Sequence, residues 1–283
     1  MFKAGPVSAI AGVFATALMV LAARSQSTGN ASIAQPPTPR QTSSAPVVPL
    51  NPALPTVFIV GDSTARNQAN LGWGDHFAHF FDTARINVAN RAIAGRSSRT
   101  YIEEGAWNNV LNQMKPGDYV LIQMGHNDGG AIGGPKARGS LKGLGDETQD
   151  VTLPSGRVDT VRTYGWYIRK YIADTRAHGA TPILLTLTIR NIWTKSADGK
   201  PQIERDMGYD AELDQLAHEE HVPLVDLAQV EADRLEAMGP EKTAQLFPID
   251  HTHTSAAGAE LVASCVVRAL REAHSPLAAY LLP

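Results

Sequence analysis

A three-layer α/β domain built on a parallel sheet is the architecture expected of this chain, on three grounds. Three short runs are mostly apolar and do not alternate: Thr56–Val60 (TVFIV), Asp118–Met124 (DYVLIQM) and Thr181–Ile189 (TPILLTLTI). Continuous apolar runs of this length fit strands covered on both faces, as in a parallel sheet. Weaker strand candidates stand at Ile86–Asn90 and Val222–Leu227. Longer helical patterns fall between and around these runs, at Trp73–Phe81, Trp107–Met114, Tyr164–His178, Tyr209–Glu220, Ala228–Met238 and Thr254–His274. Strands alternating with helices imply right-handed crossovers and helices on both faces. Ligands in such sheets collect at the carboxyl ends of the strands, which is where functional side chains are expected.

Composition narrows the function classes. The chain has 283 residues, 43% of them apolar, enough to build a core. Its 25 Lys+Arg against 28 Asp+Glu leave a net charge of −3, which argues against a nucleic-acid partner, since that needs a basic face. The single cysteine, Cys265, excludes an intrachain disulfide, a CxxC pair and a zinc site built from several thiolates. Its setting (LVASCVVRAL) reads as a small core residue.

Three domains are expected. Lys3 followed by the apolar run Val7–Ala23 reads as a secretory signal peptide over 1–24, the alternative being a retained membrane anchor. Residues 25–54 are rich in Ser, Thr, Gln and Pro (QPPTPRQTSSAPVVP) and read as a linker. The folded unit spans 55–283, with no evident internal repeat. The expected destination is export to the periplasm or medium, with no stable membrane association once processed.

Four segments carry chemistry. Gly61-Asp62-Ser63-Thr64-Ala65 follows the first strand and holds Ser63 on a strand-to-helix turn, hydroxyl outward, with backbone N–H groups able to face an oxyanion. It is not the G-x-S-x-G elbow, because Ala65 replaces the last glycine. Asp62 is read as holding this turn through local backbone N–H bonds. Ala94-Gly95-Arg96-Ser97-Ser98 offers Gly95, whose N–H can be aimed at a ligand through a conformation closed to other residues. Gly125-His126-Asn127-Asp128 ends another strand and offers the Asn127 amide, a neutral donor suited to an oxyanion. Asp250-His251-Thr252-His253 precedes a helix opened by Thr254 or Ser255, and its spacing lets Asp250 bond one imidazole nitrogen of His253 and leave the other for a serine proton. A metal reading of His251-x-His253 beside Asp250 finds no convincing third ligand. His76/His79 and His218/His221 read as helix-surface pairs, and His126 and His251 as structural.

Together these blocks resemble the SGNH (GDSL-type) hydrolase superfamily, and within it the rhamnogalacturonan acetylesterase-like branch of bacterial type. The supporting stretches are IVGDSTA, GWG at Gly72–Gly74, NRAIAGRSSRTY, GDYVLIQMGHNDGG and FPIDHTHTSAAGAE, which run from about Thr56 to the last helix. The resemblance implies a flavodoxin-like domain with a five-stranded parallel sheet, a catalytic domain over 55–283, and no metal or organic cofactor. It also implies Ser63 as nucleophile, His253 as base and Asp250 as its orienter, with the Ser63 and Gly95 N–H groups and the Asn127 side chain as oxyanion hole. Two departures stand out: Ala256, where fungal relatives carry proline, and the glycine-rich segment Gly129–Arg162, expected to form a loop over the site.

The implied activity is serine esterase chemistry that removes acetyl groups from plant cell-wall polysaccharide, acetylated rhamnogalacturonan or pectin. An acidic polysaccharide or oligosaccharide partner invites cationic contacts, for which Arg66, Arg96, Arg99 and Arg190 are candidates, chiefly Arg96 and Arg190. Trp193 is a candidate stacking face for a sugar, whereas Trp73 is better read as packing. Rival readings are an acetylxylan or short-chain lipid esterase of the same superfamily, and a catalytically silent carbohydrate-binding protein. A nucleotide-binding flavodoxin-like domain lacks a P-loop or G-x-G-x-x-G after the first strand. Oligomeric state is not legible in the chain.

Overall fold

The computed structural model describes residues 49–283. The expected signal peptide and most of the expected linker lie outside the described residues. In chain order the elements are β1 (Thr56–Gly61), β2 (Asn87–Asn90), α1 (Ser98–Glu103), α2 (Ala106–Leu111), β3 (Tyr119–Gln123), β4 (Thr148–Thr152), β5 (Val158–Arg162), α3 (Tyr164–Ala177), β6 (Thr181–Leu185), β7 (Trp193–Lys195), β8 (Pro201–Ile203), α4 (Asp210–Glu219), β9 (Leu224–Val225), α5 (Leu227–Met238), α6 (Pro240–Ala244) and α7 (Ala256–Glu272). Five strands form one sheet in the order β2-β1-β3-β6-β9, every neighbour parallel. This is the doubly wound, flavodoxin-like arrangement expected, with strand order reversing at β1.

The apolar runs are continuous because both faces of the sheet are covered. Phe58 and Val60 of β1 pack with Val120 and Ile122 of β3 against Trp107 of α2 and Ile168 and Tyr171 of α3. Their neighbours Val57, Ile59 and Leu121 face the other way, onto Trp73, Val230 of α5 and Val262 and Val266 of α7. Alternate residues of one strand thus serve two cores. Side-chain caps fix where the helices begin. Thr163 accepts from Trp166 N at 3.1 Å, Asp226 from Gln229 N at 3.0 Å and Ser255 from Gly258 N at 3.2 Å.

Several elements depart from expectation. The helix expected at Trp73–Phe81 is two 3₁₀ turns, Trp73–Asp75 and Ala78–Phe80. Trp73 N and Gly74 N donate to Thr64 O and Ala65 O, both at 3.0 Å, so their amides serve the turn after β1. The backbones approach so closely that a Cβ on Gly72 would lie 2.4 Å from Ala65 C, which only glycine avoids. The strand expected over Thr181–Ile189 ends at Leu185, because its partner β9 has only two residues. Beyond it, carboxylates take over: Leu187 N donates to Asp210 at 3.3 Å and Ile189 N to Glu231 at 3.1 Å. Helix α1, unanticipated, is opened by a reciprocal capping box between Ser97 and Thr100.

The segment Gly129–Arg162 is more than the loop expected. It contains the antiparallel hairpin β4–β5, with Thr148 opposite Arg162 and Thr152 opposite Val158. Arg99 of α1, 1% exposed, bonds Ile132 O, Gly139 O, Asp159 and Glu103. This segment is therefore riveted to the domain from beneath. A second hairpin, β7–β8, was likewise not foreseen.

Candidate active site

The carboxyl ends of β1, β2, β3 and β6 converge, and the turn before α7 closes over them. After β1, buried Asp62 accepts from Thr64 N at 2.9 Å and Thr64 Oγ1 at 3.0 Å, holding the turn as expected and presenting half-buried Ser63. Burial pushes the Asp62 carboxyl up to about 6, against its hydrogen bonds from Thr64 and the nearby His253 and Arg190.

Ser63 Oγ lies 2.9 Å from His253 Nε2, although the two residues are 190 apart in the chain. On the other side of the ring, His253 Nδ1 lies 2.7 Å from Asp250 Oδ2. Asp250 Oδ1 accepts from Thr252 N and His253 N, both at 2.7 Å. Partial desolvation raises the Asp250 carboxyl, but the His253 side chain and these two amides outweigh it and hold the group at about 2. The carboxylate is thus ionised and only accepts, so Nδ1 is the ring nitrogen that carries a proton. In the neutral imidazole, Nε2 is then the acceptor and Ser63 Oγ–H donates to it.

Three donors are the expected oxyanion-hole groups. Ser63 N and Gly95 N donate to no described residue. Gly95 has φ of +79°, a conformation that side-chain-bearing residues rarely adopt. Asn127 Nδ2 is 2.9 Å from Arg96 O and 3.4 Å from Asp62 Oδ2, so one of its two protons is fully used and the other only weakly held.

The remaining candidates separate. His126 is buried, with Nε2 2.8 Å from Thr188 Oγ1. Burial, with Arg190 and His253 nearby, lowers it to about 3, so the ring is neutral and structural. His251 is exposed, and its carbonyl accepts from Asn191 N at 2.7 Å. Arg66 pairs with Asp75 at 3.4 Å. Arg96 pairs with Glu104 at 2.8 Å, and its carbonyl accepts from Asn127 Nδ2 at 2.9 Å. Arg99 is spent on the rivet described above, which corrects its candidacy as a sugar contact. Arg190 does reach the site, 3.5 Å from His126 Nδ1. Trp193 is half-buried: its Nε1 donates to Asn191 Oδ1 at 2.8 Å, and the residue packs against the cluster that holds Ile203 and Phe247. Trp73 is fully buried, its Nε1 donating to Gln123 Oε1 at 2.8 Å. Cys265 is buried, and burial pushes its thiol up to about 12. Among the described residues no cluster of three or more His, Cys, Asp or Glu is arranged to hold a metal ion.

Sequence reasoning missed Asp128, Arg138 and Lys142. Asp128, fully buried, accepts from Ser98 N at 3.1 Å, from Ser98 Oγ and from Ser140 Oγ at 3.0 Å, tying two of the four segments to the 129–162 segment. Arg138 and Lys142 line a cavity beside Asn127. A signal was present: residues 129–145 contain Lys136, Arg138 and Lys142 and no acidic residue.

A hydroxyl, an imidazole and an ionised carboxylate in hydrogen-bonded series, at the carboxyl edge of a parallel sheet, define a serine hydrolase of α/β architecture. Comparison with known proteins makes the class specific. Residues 59–261 match the family described as GDSL-like Lipase/Acylhydrolase. A rhamnogalacturonan acetylesterase of Emericella nidulans is 35% identical over 215 residues, covering 76% of this chain and 84% of that protein. A rhamnogalacturonan acetylesterase of Bacillus subtilis is 30% identical over 246 residues, covering 80% and 94%. Among solved structures, the Bacillus subtilis protein YxiM superposes with a TM-score of 0.62 at 26% identity, over 79% of this chain and 58% of that one. An acetyl xylan esterase variant from Geobacillus stearothermophilus shares the fold, with a TM-score of 0.52 at 18% identity over 76% and 94%. The chain belongs to the GDSL-like lipase/acylhydrolase family, in its rhamnogalacturonan acetylesterase-like branch. It is a carboxylic ester hydrolase.

Proposed function

We propose that this enzyme removes acetyl groups from acetylated plant cell-wall polysaccharide, rhamnogalacturonan or pectin, through an acyl-enzyme on Ser63. The carrying observation is the unbroken series Ser63 Oγ, His253, Asp250 at 2.9 and 2.7 Å. Ser63 Oγ attacks the acetyl carbonyl carbon while its proton passes to His253 Nε2. The carbonyl π pair moves onto oxygen, where Ser63 N–H, Gly95 N–H and the Asn127 amide stabilise it. Collapse breaks the bond to the sugar oxygen, which takes the proton from Nε2 and leaves acetyl-Ser63. Water then attacks the acetyl carbon, giving one proton to Nε2, and collapse returns that proton to Ser63 Oγ and frees acetic acid, which loses its remaining proton to solvent as acetate.

Substrate class rests on the named relatives and on the surroundings of the triad. The His253 and Asp250 side chains are 30% and 39% exposed, so a bulky glycan can reach them. The adjoining cavity is lined by three cations, and Met207 and Tyr209 are its only large apolar or aromatic walls among the described residues, little for a long acyl chain. The leader over 1–24, the linker over 25–54 and the catalytic domain over 55–283 accord with export to meet such a substrate.

The test is acetate release from a panel of acetylated rhamnogalacturonan, pectin and xylan, with Ser63→Ala as control, alongside nitrophenyl esters of increasing acyl length. Release from the pectic substrates, abolished in Ser63→Ala, is expected. Preference for long acyl esters, with no acetate released from any glycan, would overturn it.

A further inference from the structure

A cavity of about 410 Å³ is lined in part by Asn127, a donor of the proposed oxyanion hole. That volume suits a small ligand or one sugar unit. Its floor is the end of β3 and the Gly129–Gly130 backbone, with Tyr209, at the start of α4, on one wall. Three charged side chains line it, Arg138 and Lys142 from the riveted segment and Arg190 after β6, and no carboxylate does.

Arg138 and Lys142 are uncompensated, and Arg190 makes no ion pair among the described residues, although its charge is felt by the buried Asp62 carboxyl. Arg138 and Lys142 side chains have no hydrogen-bond or ion-pair partner among the described residues. Arg190 has only the 3.5 Å contact to neutral His126, and its buried Nε has no partner. Arg96 and Arg99 nearby are, by contrast, both paired with glutamates. Arg138 also reaches the oxyanion side: its Nη1 lies 3.9 Å from where a Cβ on Gly95 would stand. Like charges gathered round a concavity repel one another and focus a positive potential, which an anion relieves. On a chain of net charge −3 this local excess is not a general basic surface.

The geometry points to a hexuronate subsite in which Arg138, Lys142 and Arg190 bind the carboxylate of the sugar that carries the ester, or of its immediate neighbour. Guanidinium forks match a carboxylate in two parallel hydrogen bonds, and the side-chain-free Gly129–Gly130 floor admits the ring edge-on. The subsite rests on the polysaccharide acetylesterase reading and narrows it to glycans with an acidic sugar at the reacting site. Arg138 and Lys142 are held in place by the Arg99 rivet and the bond of Ser140 to Asp128, so the segment is a specificity element rather than a cover.

The test uses digalacturonate as probe and galactobiose as its uncharged counterpart, titrated by calorimetry onto the wild-type enzyme and onto Arg138→Ala, Lys142→Ala, the double variant and Lys136→Ala. Digalacturonate should bind more tightly than galactobiose and lose affinity with added salt. Each single change in the cavity should weaken it about tenfold, and the double change about a hundredfold, as for hydrogen bonds to charged groups. Lys136→Ala, which removes a neighbouring exposed cation outside the cavity, should bind as wild type. A kinetic arm compares kcat/KM on an acetylated galacturonate oligomer with that on its carboxyl-reduced form, and this ratio should fall in the double variant. Equal affinity for the two disaccharides, or a double variant with wild-type affinity for digalacturonate, overturns the subsite. Failure to release acetate from any glycan overturns the acetylesterase reading instead, and the calorimetry reports separately from it.

Discussion

Replacing Asn127 by alanine separates the donors of the proposed oxyanion hole from the rest of the site. The amide stands at the end of β3, with Nδ2 2.9 Å from Arg96 O and 3.4 Å from Asp62 Oδ2. Its first proton orients the group, and its second has only a long contact in the resting enzyme. As charge develops on the substrate oxygen, that second proton gains a far better acceptor than it has beforehand. Loss of such a donor removes ~3 kcal/mol of transition-state stabilisation, a factor of about a hundred to a thousand in turnover. The resting structure loses one ordinary hydrogen bond to Arg96 O, about 1 kcal/mol, too little to unfold a domain of this size. The assay is therefore paired: kcat and KM for a soluble acetyl ester, and a thermal melt, on the same preparation. A fall of at least a hundredfold in kcat is expected, with KM within a few-fold and a melt close to wild type. Turnover within threefold of wild type would remove Asn127 from the oxyanion hole. A collapsed melt would assign it to structure instead.

Two further outcomes follow from buried charge. Glu231 of α5 is fully buried, with one bond from Ile189 N at 3.1 Å, and burial pushes its carboxyl up to about 8. Because the folded state holds this proton above the ordinary 4.5, the stabilisation is complete below pH 4.5 and is lost as pH rises towards 8, at about 1.4 kcal/mol per pH unit. Glu231→Gln should flatten stability between those limits in denaturant titrations, and curves that stay parallel to wild type would refute an ionisable group there. Arg99→Ala leaves Asp159 buried without its inner partner and should cost about 3–5 kcal/mol, while opening the 129–162 segment to protease. A variant as stable and as protease-resistant as wild type would show that the segment is held by other contacts.

Ser63, Gly95, Asn127 and the Asp250–His253 pair were marked by their combination and by the resemblance it carries, because each of those chemistries needs a particular side chain, or its absence, at a turn. Strands β1 and β3 were legible for a related reason: burial on both faces leaves no polar alternation. The Trp73–Phe81 stretch misled because its apolar spacing is helical while its amides are claimed by Thr64 and Ala65, residues of another segment. Arg99 misled because proximity in sequence to Gly95 says nothing about which carboxylate a side chain meets.

The chain on its own fixed the parallel α/β plan and the identities of the groups that meet at the strand ends, since hydrophobic period and turn chemistry are local properties. Only the folded molecule decided that Ser63 and His253 touch across 190 residues, that Arg99 is spent on a rivet, and that Arg138, Lys142 and Arg190 gather round one cavity. Those outcomes depend on the paths of crossovers and insertions through space, and on which charges find partners there, neither of which a one-dimensional pattern encodes.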